Sequence, residues 1–372
     1  MACGLVLRGY FEMGYGLARI VRFLAQIATS TLVQVSEICS TNSPDRIMKK
    51  TLKILAYTVG TLALLLVLVL GYFHFKGIPN YKYNPPAEIV NLKVPRDSAH
   101  VARGKVIGTM HCVECHANAE GKMTGKPIGD LPAMFGELHS LNITQDKKYG
   151  IGNWTDGELY YFLRTGIHKD GRWSPPFMPK YSLLADEDVY SLIAWLRSDD
   201  PRLAPDIHEL PPNRFNLVVK ILGNTLFGPP PLPQKHIVIP DTTQRIAYGK
   251  YVADALSNCY ACHSGDILKV DMLVPEKSFG YYGGGIPMRN AAGETVFSAN
   301  LTMDKASGIG NWTEEEFIAA VRFGKKPQGG TLSRPMAPHS MLTDAEVKAI
   351  FTYLKTVPVV KNPVQRYRAS VQ

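Results

Sequence analysis

The chain has 372 residues, 45% hydrophobic and 20% charged, a balance that suits two or three folded domains and excludes wholesale disorder. Its formal net charge is +9, but four of those charges fall in Met1–Lys53. The remainder carries no long basic run, which argues against a dedicated nucleic-acid footprint and against nucleic acid as a partner.

The first element is predicted between Ile54 and Phe73, "ILAYTVGTLALLLVLVLGYF", twenty residues without a charge. At about 1.5 Å per residue that length matches a hydrocarbon core of about 30 Å. Arg46, Lys49, Lys50 and Lys53 precede it, so the positive-inside rule keeps the N-terminus cytoplasmic and sends the rest across the membrane. No small-residue cleavage site follows in "GYFHFKGIPN", which favours an uncleaved anchor over residues 48–75 rather than a signal peptide. "MKKTLK" from Met48 has the form of a true start for such an anchor, so Met1–Ile47 is read as an untranslated extension, or else as a basic amphipathic tail on the cytoplasmic membrane surface. Cys3 and Cys39 carry no assignable chemistry in either case.

Beyond the anchor the sequence repeats itself at a shift of 158 residues. "NITQDKKYGIGNWTDGELYYFLRTG" from Asn142 lies over "NLTMDKASGIGNWTEEEFIAAVRFG" from Asn300, and Met178 falls on Met336. Val189, Leu192, Ile193 and Leu196 fall on Val347, Ile350, Phe351 and Leu354, at the i, i+3, i+4, i+7 spacing of an amphipathic helix. The copies span 95–205 and 241–360, with a proline-rich linker at 206–240. In each, three helices are expected: one leading to the cysteines, one starting at Thr155 or Thr313 in a capping box with Glu158 or Glu316, and a terminal one over Asp186–Arg197 or Asp344–Lys355. Few segments read as strands. From first cysteine to shared asparagine is 30 residues in copy one and 41 in copy two, which predicts an eleven-residue insertion in copy two, placed in "FGYYGGGIP".

Each copy contains Cys-x-x-Cys-His: Cys112, Cys115 and His116, then Cys259, Cys262 and His263. Two thiols one helical turn apart can add to the two vinyl groups of a haem, and the adjacent histidine can then ligate its iron. A zinc site would need a fourth ligand from scattered residues, and a thioredoxin-like dithiol would follow a strand instead of a helix. A six-coordinate iron needs a second axial ligand, and Met178 and Met336 recur in matching proline-flanked loops. Met134 in copy one, and Met288, Met341 or His339 in copy two, compete for that role. Trp154 and Trp312 are read either as core packing or as indole donors towards a haem propionate, with Asn142/Asn300 and Asn153/Asn311 nearby. Asn-x-Thr triplets in these loops are set aside as glycosylation acceptors because the site is expected to be buried.

The two Cys-x-x-Cys-His motifs, "NITQDKKYGIGNWTDGEL", "FMPKYSLLADEDVYSLIAWLRS" and their second copies resemble bacterial mono- and dihaem cytochromes c, especially the cytochrome c subunits of membrane-bound alcohol and gluconate dehydrogenases. The resemblance implies an all-α fold of two tandem class-I-like cytochrome c domains after one N-terminal transmembrane helix. It also implies two covalently bound haem c groups: Cys112, Cys115, His116 and Met178 would hold one, and Cys259, Cys262, His263 and Met336 the other. The expected function is one-electron transfer in a respiratory chain by a non-catalytic protein facing the periplasm. Its partners would be a dehydrogenase, a quinol-oxidising complex or a terminal oxidase. A dihaem peroxidase is the alternative, disfavoured because both copies keep a candidate distal methionine.

Overall fold

The computed structural model describes residues 44–129, 133–290, 292–332 and 334–364. The extension before residue 44, with its amphipathic stretch, lies outside the described residues.

Two compact units emerge. In the first, helix α1 (Pro44–Lys76, 33 residues) is, among the described residues, the one helix long and apolar enough to cross a membrane. Its candidate span, Met48–Lys76, begins where the sequence places the anchor. The same unit contains the helix Leu217–Thr225, predicted only as an apolar middle within the linker. It is fastened to the end of α1 by Asn224 Nδ2, which donates to Gly77 O (2.8 Å), and by Lys220 Nζ, which donates to His74 O (3.1 Å).

The second unit, Asn80–Arg214 with the chain from Gly228 onward, is built mainly of helices. Copy one supplies α2 (Ser98–His111), α3 (Val113–His116), α4 (Asp156–Thr165) and α5 (Asp186–Leu196). Copy two supplies α6 (Arg245–Lys250), a π-helical segment Tyr251–Leu256, α7 (Cys259–His263), α8 (Glu314–Phe323) and α9 (Asp344–Leu354). Strands are short: β1 (Pro287–Arg289) pairs antiparallel with β2 (Thr295–Phe297).

The capping boxes form as the sequence predicts. Thr155 Oγ1 and Thr313 Oγ1 accept from the backbones of Glu158 and Glu316, whose carboxylates accept in return from the threonine N–H groups, and α4 and α8 end on the left-handed glycines Gly166 and Gly324. A third box, Thr343 with Glu346, starts α9; its counterpart position Ala185 in copy one has no capping side chain.

Each copy crosses its first helix over its last at a glycine. A β-carbon on Gly104 would lie 1.8 Å from Ser191 O, and one on Gly249 would lie 1.9 Å from Ala349 O. Ser191 and Ala349 are related by the 158-residue shift, so these glycines mark the same crossing. From there to the first cysteine is eight residues in copy one and ten in copy two, and the π-helical segment absorbs the difference.

The larger insertion is relocated. Gly125 N–H donates to His116 O and Gly284 N–H to His263 O, both at 2.8 Å. The extra residues of copy two therefore lie between His263 and Gly284, mostly upstream of the Gly/Tyr loop to which the sequence assigns them. They form two short 3-10 turns, Ile267–Lys269 and Pro275–Lys277.

The copies meet through charge. Arg103 of α2 grips Asp188 of α5 with Nε (2.8 Å) and Nη2 (3.0 Å) and reaches Glu346 of α9 with Nη1 (2.9 Å). Asp188 and Glu346 are equivalent in the repeat, so one guanidinium joins the starts of both terminal helices. The hydroxyl of Tyr251, from copy two, also donates to Asp188.

Candidate functional site

In copy two, Cys259, Cys262, His263 and Met336 all line one cavity of about 540 Å³. Its walls are largely apolar, with Tyr282, Ile309, Phe317, Leu342, Ile350 and Leu354 among them. Cofactor sites have this size and character: a mostly apolar cleft with a few convergent polar groups. The short helix α7 carries both cysteines and the histidine, so one helical turn sets their spacing.

His263 is buried, and its Nδ1 sits 2.8 Å from Ala299 O. In copy one, the Nδ1 of buried His116 sits 2.6 Å from Leu141 O. A carbonyl can only accept, so Nδ1 carries the proton in both rings and the lone pair resides on Nε2, the arrangement a metal-ligating histidine needs. Burial lowers the His116 pKa, which keeps the ring neutral, and pushes the Cys112 and Cys259 thiols up to about 12. None of the four cysteines is in a disulfide, so all remain available for thioether bonds.

The two methionine loops run in the same register. Three residues after Met178, the N–H of Tyr181 donates to Leu163 O (2.9 Å); three residues after Met336, that of His339 donates to Val321 O (2.8 Å). Met178 and Met336 are both half-buried. Of their competitors, Met288 and His339 also line the copy-two cavity, whereas Met134 is exposed.

Copy one differs in its loop. Lys180 is half-buried there; desolvation of its amine brings the pKa down to about 7, and its Nζ donates to the carbonyls of Met178 and Pro175. Copy two has Pro338 at that position, and no sequence rule singles out the lysine. Tyr181, counterpart of His339, is fully buried, is within electrostatic reach of Cys112 and Cys115, and leaves its hydroxyl without a hydrogen-bond partner. The apolar copy-two cavity, the Nε2 lone pairs and this orphaned hydroxyl fit a large, mostly apolar cofactor with a metal at its centre.

The two attachment segments touch. His111, directly before Cys112, places Nε2 2.6 Å from Leu256 O, three residues before Cys259, and stands edge-on to Tyr181 with ring centres 5.3 Å apart.

Trp312 lines the copy-two cavity, while Trp154 packs edge-on against Phe162 and His168. Asn142 and Asn300 are both buried, and each holds the Thr two residues on while its amide donates to backbone carbonyls, of Asp206 and His208 or of Val360. Asn153 and Asn311 donate to Lys147 O and Lys305 O, and they are exposed, so burial is no reason to discount the Asn-Trp-Thr triplets.

Residues 101–199 match the family model of cytochrome c. This segment is a cytochrome c domain. The chain is homologous to cytochrome c subunits of dehydrogenases and to a dihaem cytochrome. It is 31% identical to the fructose dehydrogenase cytochrome subunit of Gluconobacter japonicus over 70% of this chain and 54% of that one. To the cytochrome c subunit of alcohol dehydrogenase (quinone) from Gluconacetobacter polyoxogenes it is 28% identical, over 71% of this chain and 57% of the other. A dihaem cytochrome c-type protein of Cereibacter sphaeroides is 26% identical over 67% of this chain and 83% of its own length. The chain thus spans somewhat more than half the length of the dehydrogenase subunits it matches.

Proposed function

We propose that this protein is a membrane-anchored dihaem c-type cytochrome that carries electrons one at a time as the cytochrome subunit or redox partner of a dehydrogenase, with its haem domains on the periplasmic side. The observation that carries the reading is the copy-two cavity, where both thiols, the histidine and the repeated methionine of one sequence copy converge. Covalent haem c would supply the one-electron iron couple.

The residues of the chain do the rest. Cys112 and Cys115, or Cys259 and Cys262, would tether the macrocycle. The carbonyls of Leu141 and Ala299 orient His116 and His263 for the iron. Met178 and Met336 would each offer a thioether to the iron, which favours its reduced state. Apolar walls exclude water, so little reorganises when charge moves. Arg103 and His111 bind the two copies together, which supports passage of an electron from one to the other within one chain.

Pyridine haemochrome analysis of the purified chain is expected to give two c-type haems; one or none would defeat the reading. Replacing Met178 or Met336 by alanine should abolish the methionine-to-iron absorption band of the corresponding haem, and an unchanged spectrum would assign the ligand elsewhere. Purification from native membranes in mild detergent should bring a dehydrogenase with it.

A further inference from the structure

Compared position by position, the two copies differ in several buried charges, and one of them, Asp254, stands beside the copy-two cavity. Asp254 lies on the π-helical segment and is 3% exposed; the corresponding stretch of copy one, Gly104–Cys112, contains no acidic residue. Its carboxylate accepts from the hydroxyls of Tyr281 and Tyr282, each at 2.7 Å, and from Lys250 Nζ at 2.8 Å. Lys250 is 38% exposed and shares its charge with Glu276 at 2.5 Å. Tyr282 is fully buried and forms part of the cavity wall with Cys259, His263 and Met336. The carboxylate therefore stands one hydrogen-bonded side chain from the cavity, with its balancing lysine on the solvent side.

That order matters electrostatically. Water and Glu276 weaken the field of Lys250, whereas little but buried protein lies between Asp254 and the cavity, where a charge acts over a low effective dielectric. Three hydrogen-bond donors converge on this carboxylate. A buried anion stabilises the more positive, oxidised state of a nearby iron centre.

We propose that Asp254 is a tuning residue that lowers the reduction potential of the haem held by Cys259, Cys262, His263 and Met336, an inference that rests on the two-haem reading. A single electron on the protein then settles preferentially on the copy-one haem, whose corresponding stretch Gly104–Cys112 has no acidic residue.

The test is a spectroscopic redox titration of the full, haem-loaded chain in detergent, in mildly alkaline buffer well above the ordinary carboxylate range. Met336→His identifies the copy-two wave as the one it moves. Asp254→Asn is expected to raise that wave and leave the other in place. Lys250→Gln is expected to lower it, since it removes the outer positive charge and leaves the carboxylate. Opposite shifts distinguish a charge effect from general loosening of the fold. A copy-two wave that Asp254→Asn leaves unmoved, or that both substitutions move the same way, overturns the proposal. Should Asp254→Asn fail to accumulate, Lys250→Gln decides alone, a fall supporting the proposal and no change or a rise refuting it. Haem content measured on the same samples separates the two failures: fewer than two haems in the unmodified chain refutes the dihaem reading and this inference with it, whereas two haems with an unresponsive wave refutes only the tuning.

Discussion

Replacing Arg103 by methionine removes the charge that joins the two copies and keeps most of the side-chain bulk. Arg103 is 28% exposed, but its carboxylate partners are buried, Asp188 at 1% and Glu346 at 6%. Burial disfavours charge on Arg103, yet its hydrogen bonds to Asp188 and Glu346 hold its pKa above the ordinary value, so it is cationic at any accessible pH. Removing one partner from a buried ion pair costs about 3–5 kcal/mol, because the remaining charge stays desolvated without compensation. Here Asp188 keeps the Tyr251 hydroxyl and Glu346 keeps its capping bonds to Thr343, which places Arg103→Met near the lower end, about 3 kcal/mol. The assay is denaturant unfolding of the haem-loaded chain, followed separately by haem absorption and by far-UV circular dichroism. The variant should unfold at lower denaturant, with the copies separating into two transitions. A Glu346→Gln double-mutant cycle should return a coupling energy above about 1 kcal/mol for this pair. A loss within about 0.5 kcal/mol, as for an ordinary surface substitution, would refute the claim that this cluster holds the copies together.

Gly104→Ala and Gly249→Ala should each destabilise the chain severely and reduce haem incorporation during expression, because the added β-carbon would fall on a backbone carbonyl that cannot move without displacing a terminal helix. Normal yield of the haem-loaded variants would contradict the helix crossing. Thr313→Ala, which deletes one half of a capping box, should cost about 1 kcal/mol in thermal or chemical unfolding and leave the spectrum unchanged. Asp200 accepts from Arg202 and Trp195 Nε1, and the Arg202 hydrogen bond first, then those from Trp195 and the backbone, hold its carboxyl well below the ordinary range. A depressed carboxylate contributes stability that is complete above its unfolded pKa, about 4, and is lost as pH falls below it. Asp200→Asn should therefore be less stable than the parent near neutrality, with the difference narrowing in acid; a difference independent of pH would rule out this linkage.

The candidate membrane span, the internal repeat, the helix starts and the eight candidate haem residues are all local or periodic features, legible in spacing and residue type. Twenty uncharged residues measure a bilayer whatever surrounds them, Thr-x-x-Glu caps its own helix, and Cys-x-x-Cys-His holds its geometry within one turn. The starts of α4 and α8 and the spans of α5 and α9 follow for the same reason. Other features depend on which segments meet in space. Subtraction of spacings counts the inserted residues, but only the hydrogen bonds of Gly125 and Gly284 show where they lie. Asn142 and Asn300 lie in a repeated loop, and only the fold turns them onto the chain that follows each terminal helix. Arg103 and His111 are undistinguished in the sequence because their partners are distant along it: Glu346 is 243 residues from Arg103, and Leu256 is 145 from His111. The sequence by itself determined the chemistry available in each copy, since covalent attachment and ligation depend on residue type at short range. The tertiary structure decided what makes the copies unequal and what joins them, since burial of a charge and its distance from another are set by the whole chain.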